Sequence, residues 1–148
     1  MIKSIMVGFD GSPASERALR LACGIANQFG AQLQISHTAK DENITCAAGG
    51  ISSLYVGGTA KQMETLRSVA QVLGKRAEEI AAACGQPDAE VHIGQGDPAD
   101  DVLARADAFG ADLIVTGRRG LGDLRGLMLG STSQSISTRA KCACMTVA

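Results

Sequence analysis

Ile-Met-Val-Gly-Phe-Asp-Gly-Ser-Pro, residues 5–13, joins an apolar run directly to the start of a helix. Ser12 is of a residue type that caps helices, and Pro13 suits the first helical position because its missing N–H has no partner there. Apolar residues then recur at helical spacing up to Phe29, and Gly30 is typical of a helix end. The stretch therefore predicts a strand followed by a helix over about residues 13–29.

The same pattern of strand, turn, cap and proline recurs later in the chain. The segment Ala89-Glu90-Val91-His92-Ile93 predicts a strand, and Gly94-Gln95-Gly96-Asp97-Pro98 after it predicts a turn and a helix capped by Asp97. Apolar residues spaced by three and four predict an amphipathic helix over 62–84, packed on the sheet rather than in a coiled coil. The other predicted elements are strands at 31–36, 111–116 and 143–147 and a helix from Ser131, its expected cap, to about Ala140.

This alternation of strands and helices is typical of an α/β fold, with a mainly parallel sheet covered by helices on both faces. The chain has 148 residues, and it contains no internal repeat, proline-rich linker or charge block that would mark a boundary. We therefore expect a single domain over residues 1–148. Residues 39–58 show no sustained period and predict a long connection between the second strand and the second helix.

Composition excludes several classes of function. The formal net charge is -1, so no overall basic field exists to bind nucleic acid or anionic membranes nonspecifically. The apolar runs are a few residues long, against the roughly 20 that a membrane helix needs, so no membrane insertion is expected. The N-terminal residues enter a strand-like run without a cleavage-site pattern, which predicts a cytoplasmic location.

Five cysteines form an odd set without a CxxC pair, which is typical of free thiols in a reducing compartment. Cys142 and Cys144 would share one face of a strand and could contribute two sulfurs to a metal site, but small buried thiols are the favoured interpretation. His37 is expected to be packed or exposed rather than a ligand, and no Cys/His cluster has the spacing of a structural zinc site.

The segment from Gly117 to Ser131 is rich in glycine and carries Arg118, Arg119 and Arg125 ahead of a predicted helix. Glycines let backbone amides approach an anion closely, and a helix N-terminus adds N–H groups and a positive dipole end. The segment thus favours a phosphate-binding loop, although a flexible surface loop with solvated arginines would have a similar sequence.

Known phosphate motifs narrow this interpretation. A Walker A loop is excluded because Asp123 and Leu124 follow Gly122 where lysine and serine or threonine are needed, and Arg125 breaks a Rossmann GxGxxG. The spacing that matches is G-x2-G-x9-G-[ST], formed by Gly117, Gly120, Gly130 and Ser131. In this motif the sequence resembles the ATP-binding branch of the universal stress protein family.

The resemblance covers about residues 1–38 and 87–147. It includes the apolar opening that ends in Asp10, the Gly96-Asp97-Pro98 helix entry, the run at 110–115 and the ending at 142–147. Lys141 and Ala143 replace prolines common near that ending in the family, and Arg118 with Arg119 replaces an often smaller or mixed pair. Residues 39–86 match only as a variable connection and second helix.

The resemblance implies an open, Rossmann-like sheet of five strands in the order 3-2-1-4-5, which would place the first strand beside the fourth at a switch point where ligands bind. It further implies that Asp10 approaches ribose or a metal-bound phosphate and that the Thr38 backbone meets adenine. The ribose and phosphates would be held by Gly117, Arg118, Gly120, Gly130, Ser131 and Thr132. ATP and Mg²⁺ are the implied cofactors, with Asp10 at the metal. A simpler role for Asp10 is to cap its own turn.

The implied function is that of a small cytoplasmic ATP-binding regulator of stress response, whose nucleotide or dimer state is sensed by an unidentified protein partner. A homodimer through the C-terminal strand is also implied. No catalytic residue is assigned, and since only Asp10, Asp97 and Asp123 could position water, we expect slow ATP hydrolysis at most. The alternatives are a Mg²⁺-dependent nucleotide hydrolase or transferase, and a nucleotide-free interaction module.

Overall fold

The computed structural model describes residues 1–39, 59–119 and 129–148. These residues form five strands and four helices in the predicted order. The strands are β1 (Ser4–Gly8), β2 (Gln32–Thr38), β3 (Glu90–Gly94), β4 (Leu113–Gly117) and β5 (Ala143–Val147), and the helices are α1 (Pro13–Phe29), α2 (Thr59–Ala83), α3 (Pro98–Phe109) and α4 (Ser131–Arg139). The observed boundaries differ most from the predicted ones at α2, which begins before residue 62, and at β2, which continues past Ser36.

All five strands are parallel, and their order is β3-β2-β1-β4-β5. Val7 of the central strand β1 pairs with Ile35 on one side and with Val115 on the other. The expected sheet order is therefore confirmed. Because the strands are parallel, their carboxyl ends lie at one edge of the sheet, and β1 and β4 meet there at the point where the strand order reverses.

The larger part of the core lies between the sheet and helices α1 and α2. Alanines on α1 let this helix approach the sheet closely, since a small side chain leaves little distance between the two backbones. The buried members of this cluster include Ile5, Val7, Leu33, Ile35 and Val115 from the strands, Ala18, Leu19, Ala22 and Ala26 from α1, and Ala77, Ile80 and Ala81 from α2.

Helices α3 and α4 cover the opposite face. Met6 and Ile114 point to this side, whereas their neighbours along each strand belong to the first cluster. They pack against Val102 and Ala106 of α3 and Ile136 of α4. The run Leu113-Ile114-Val115 is therefore buried on both faces, as a central strand of a parallel sheet requires.

The ends of α1 and α3 follow the prediction. Ser12 caps α1 by accepting a hydrogen bond from the Ser15 amide at 3.1 Å, and Asp97 caps α3 by accepting from Ala99 and Asp100. Gly30 and Gly110 end these helices with φ of 64° and 68°, values that favour glycine.

The expected cap of α4 by Ser131 was wrong. Gly130 has the extended conformation of the N-cap, and its carbonyl accepts the hydrogen bond from the Gln134 amide at 2.9 Å. Ser131 is consequently the first helical residue, and no side chain at the cap position accepts from a first-turn amide.

Helix α2 packs on the domain's own sheet rather than in a coiled-coil seam. Arg76 of α2 donates to Glu16 of α1 at 3.1 Å, and Asn27 of α1 donates to the carbonyl of Cys84 at 2.8 Å. A Cβ on Gly74 would lie 3.2 Å from Ile93 of β3, so the helix also closely approaches the sheet.

The four cysteines within the described residues are free thiols, and Cys46 lies outside them. Burial and the adjacent Cys84 thiol raise the pKa of Cys23 to about 12. Cys142 and Cys144 pack against the smaller core cluster, and the described part of the chain contains no group of three metal-ligating side chains. Within that part, no helix is long and apolar enough to cross a bilayer.

Candidate functional site

The residues proposed for ligand binding lie along the edge formed by the carboxyl ends of the strands. Asp10 follows β1, Thr38 ends β2, Gly117 ends β4 and Gly130 immediately precedes α4. Gly120, together with Asp123 and Arg125, lies outside the described residues. The edge thus combines three strand ends with the N-termini of α1 and α4.

Gly117 lies directly against the first turn of α1. A Cβ on this residue would be 2.8 Å from the Ser15 amide nitrogen and 2.9 Å from the carbonyl carbon of Ala14. Both neighbours are backbone atoms, which cannot rotate away as a side chain can. Glycine at this position is therefore required by the packing of β4 on α1, independently of any ligand.

The two residues after Gly117 connect the helix N-termini through their backbone. The Arg118 carbonyl accepts hydrogen bonds from the Gly130 amide at 2.7 Å and from the Ser133 hydroxyl at 3.1 Å. The Ser12 hydroxyl makes a longer contact, 3.5 Å, to the Arg119 carbonyl. These bonds fix the segment between α1 and α4, while both arginine side chains remain exposed.

Ser133 was not predicted as part of this edge. It is buried, and its hydroxyl contacts both the Arg118 carbonyl and the Gly130 carbonyl, at 3.1 and 3.0 Å. Serine and threonine dominate α4, so composition gave no reason to choose this one. Its position two residues after Ser131, one turn into the helix, is the only signal that could have identified it.

The N-terminus of α4 has the features of an anion site. The first amides of a helix have no carbonyl partner within the helix, and the helix dipole adds partial positive charge. At the cap, a Cβ on Gly130 would make ordinary contacts of 3.4 Å to the Arg118 carbonyl oxygen and 3.5 Å to the Arg119 Cα. Ser131 is exposed and Thr132 is half-buried, and both residues belong to the first turn of α4.

Asp10 caps its own turn, as the simpler interpretation of the sequence proposed. Its Oδ1 accepts a hydrogen bond from the Ser12 amide at 2.9 Å, and the side chain is partly exposed. Gly11, with φ of 81°, follows, and a Cβ there would lie 2.6 Å from a methyl group of Leu73. Helix α2 therefore covers this turn, and the position of the Asp10 carboxylate is fixed by the local backbone.

His37 is a packed histidine and is fully buried. Its Nδ1 lies 2.9 Å from the Phe9 carbonyl, so this nitrogen carries the proton that is donated. Its Nε2 is buried without a hydrogen-bond partner among the described residues. Burial lowers the pKa of His37, and the Phe9 carbonyl and the Asp10 charge oppose that effect only in part.

Thr38 is buried at the end of β2, and its hydroxyl donates to Asp101 of α3 at 3.0 Å. Asp101 was not among the predicted site residues, because nothing in its own segment distinguishes it from Asp100.

Asp97 serves as the N-cap of α3, and one of its carboxylate oxygens accepts from backbone amides at 2.9 and 3.1 Å.

Comparison with known proteins identifies relatives of this arrangement. Residues 1–148 match the model of the Universal stress protein family. Universal stress protein YxiE of Bacillus subtilis is 33% identical over 147 residues, which cover 96% of each chain.

Solved structures share the fold. A universal stress protein in complex with cAMP is similar with a TM-score of 0.73 and 26% identity, over 99% of this chain and 97% of that one. The universal stress protein of Archaeoglobus fulgidus in complex with dAMP has a TM-score of 0.67 and 22% identity, with each chain covered over 100%. From the match along its whole length and from the sheet order that it adopts, this chain belongs to the universal stress protein family.

Proposed function

We propose that residues 1–148 form one nucleotide-binding domain that takes ATP with Mg²⁺ at the edge between β1 and β4. The observation that carries this proposal is the N-terminus of α4, whose cap position is a glycine. The amide of this glycine donates to the carbonyl of Arg118, the residue that follows β4, and β4 pairs with β1. Related structures bind cAMP and dAMP, which supports an adenine nucleotide as the ligand class.

In this proposal the phosphates lie against the amides and hydroxyls of Ser131 and Thr132. Gly130 leaves room for their approach, and Gly120 and Arg118 contact the phosphates from the loop. An exposed guanidinium is suited to this role because it offers several donors in a planar fork. Gly117 would not contact the phosphates itself, because its Cα packs on α1. Its role would be to let the chain pass close to α1 before the loop begins.

Asp10 would contact the ribose or a phosphate-bound Mg²⁺. One of its oxygens already accepts from the Ser12 amide, which holds the carboxylate at the switch point. Proteins usually bind Mg²⁺ through one or two carboxylates, while water molecules and phosphate oxygens complete the coordination of the ion. The Thr38 backbone, at the end of the neighbouring strand, would contact the adenine.

The protein would act as a cytoplasmic regulator of stress response whose nucleotide or dimer state is sensed by a protein partner. It would hydrolyse ATP slowly at most. Among the described carboxylates near the edge, Asp10 and Asp97 both accept hydrogen bonds from backbone amides of their own turns.

A second copy would pair at β5, an edge strand that pairs with β4 alone in the described sheet and exposes Ala143 and Met145. The unit would then be a homodimer.

Thermal unfolding of nucleotide-free protein tests the binding proposal. A ligand at about 100 times its dissociation constant adds roughly 2.7 kcal/mol to the free energy of unfolding, which raises the Tm by several degrees at this size. We expect this rise with Mg-ATP, and smaller rises with Mg-ADP and AMP because they offer fewer phosphate contacts.

The substitution Gly130→Val would place a branched side chain over the start of α4 and should abolish the rise. Ser137→Val puts the same side chain on an exposed position of the same helix and should retain it. Absence of a shift with every nucleotide, in protein that starts empty, would overturn the proposal and favour a nucleotide-free interaction module.

A further inference from the structure

Asp101 connects α3 to the end of β2 through a pair of hydrogen bonds. Its Oδ2 accepts from the Ser36 hydroxyl at 2.8 Å and from the Thr38 hydroxyl at 3.0 Å. Ser36 and Thr38 are 1% and 5% exposed, and being two residues apart they lie on the same face of the strand. A single carboxylate oxygen therefore accepts hydrogen bonds from two of the last three residues of β2.

The neighbouring strand closes around the same carboxylate. A Cβ on Gly94, the last residue of β3, would overlap the Asp101 side chain, so β3 must end in glycine for the carboxylate to reach β2. His92 of β3 places Nε2 3.6 Å from Asp101 Oδ1. The Asp101 side chain is 15% exposed, and three elements of the fold converge on it.

Burying a carboxylate disfavours folding unless its oxygens are hydrogen-bonded, and apolar packing would join α3 to the sheet without that penalty. The two hydroxyl donors bond to the carboxylate in a fixed geometry, and these directional bonds orient Ser36 and Thr38 in a way that apolar packing does not. Thr38 is the residue whose backbone would contact the base, and it is the last residue of β2, opposite Gly94 of β3.

We infer that Asp101 is a positioning residue for the base-binding end of the site, where it fixes the Thr38 backbone against the edge of a purine. This inference rests on the proposed nucleotide-binding function. Asp101 acts through Thr38 and Ser36 and does not touch the ligand. Its removal should therefore weaken recognition of the base while the phosphate end, built from α4 and the preceding loop, keeps its affinity.

Titration calorimetry with Mg-ATP, Mg-GTP and inorganic triphosphate distinguishes the affinity for the base from the affinity for the phosphates. In Asp101→Ala we expect the affinity for ATP to fall about tenfold, the value of one charge-assisted hydrogen bond. Triphosphate affinity should stay within about twofold, so the preference for ATP over GTP shrinks. Asp101→Asn keeps an acceptor oxygen for the two hydroxyls and should restore part of the preference.

Thr38→Val removes the hydroxyl, keeps the shape and backbone of the residue, and gives a second variant where Asp101→Ala does not fold. It should lose the same preference. Asp107→Ala is the control on the same helix, because its exposed carboxylate pairs with Lys141. It should bind all three ligands as the unmodified chain does.

Each result separates the two proposals. Equal losses of ATP and triphosphate affinity in Asp101→Ala, or an unchanged preference in both Asp101→Ala and Thr38→Val, would overturn the positioning role and leave nucleotide binding intact. Failure of the unmodified chain to bind any of the three ligands would overturn the proposed function, and the positioning role with it.

Discussion

Gly117 at the end of β4 lies so close to Ser15 in the first turn of α1 that a Cβ on the glycine would stand 2.8 Å from the serine amide nitrogen. Gly130, which belongs to the same sequence motif, has ordinary contacts of 3.4 Å and longer at the equivalent point. The two glycines therefore meet different requirements. Gly117 is needed for the fold, and Gly130 is open to substitution in the absence of a ligand.

Gly117→Ala should lower the free energy of unfolding by about 1–3 kcal/mol, the usual cost of forcing an extra carbon into a packed contact. The neighbours are backbone atoms of Ala14 and Ser15, so relief requires α1 to move relative to β4. Urea unfolding followed by circular dichroism measures the loss.

Gly24→Ala is the matched control for that substitution. Gly24 lies within α1, and nothing lies within 4 Å of the position that its Cβ would take. Alanine there should raise the free energy of unfolding by about 0.5–1 kcal/mol, because glycine is the poorer helix former. Equal effects of the two substitutions, in sign and size, would contradict the close contact between β4 and α1.

Gly130→Ser should separate the stability of α4 from its proposed role in binding. The Gly130 backbone has φ of -68° and ψ of 155°, which serine adopts readily, and a serine at the cap can accept from a first-turn amide. We expect the empty protein to gain a few tenths of a kcal/mol, while the Tm rise with Mg-ATP falls because the hydroxyl competes with phosphate for the same amides. A larger ligand-induced rise in this variant would show that phosphate lies elsewhere.

His37 should make the protein less stable in mild acid. Burial lowers its folded-state pKa below the ordinary value of about 6.5, so the unfolded chain takes up the proton first as the pH falls. Its contribution is therefore fully present above about pH 6.5 and declines from there toward the lower folded-state pKa. Urea unfolding between pH 5 and 8 should show this decline, and NMR titration of the imidazole should give the lowered pKa.

His37→Gln provides the comparison for the pH series. Glutamine does not titrate, so the part of the decline that begins near pH 6.5 should disappear even if the variant is less stable at every pH. An unchanged decline in this variant would assign the pH dependence to other groups.

Arg76→Ala should raise the pKa of Glu16 toward its ordinary range. The hydrogen bond from Arg76 is the largest cause that lowers this pKa, and the bond from Arg20 is smaller. Because the folded-state pKa is depressed, the pair stabilises the protein above the unfolded-state pKa, and that contribution is lost as the pH falls through the folded-state pKa. Carboxyl NMR titration should show a smaller change in Arg20→Ala, and the reverse order would contradict the contact between α1 and α2.

Several elements of the fold were predictable because their signals are local. The cap at Ser12, the proline at position 13 and the left-handed glycine at position 30 gave α1 its observed limits, Pro13–Phe29. The alternation at β2 identified the strand but ended it too early, because Thr38 follows a histidine that reads as polar and is fully buried. The order of the strands in the sheet was implied by the family resemblance, since hydrophobic periodicity identifies strands and helices but not their arrangement in space.

The candidate site was predictable only as a set of strand ends and a helix start. Asp10 and Thr38 were proposed from the family resemblance, and the structure places Asp10 just after β1 and Thr38 at the end of β2. Asp101 could not be found this way, since its partners Ser36 and Thr38 are 65 and 63 residues away in the chain. Ser133 was indistinguishable from the other hydroxyl residues of α4.

The sequence by itself determined the succession of strands and helices and the glycine motif of the proposed phosphate end, because periodicity, capping and glycine placement act over a few residues. Only the tertiary structure decided which polar groups are buried together: the Asp101 carboxylate with two hydroxyls of β2, the His37 ring beneath the Phe9 carbonyl, and Gly117 against the Ser15 amide. These contacts join elements that are distant in the chain. Their geometry depends on how closely the helices approach the sheet, and that approach is set by the packing of the whole core.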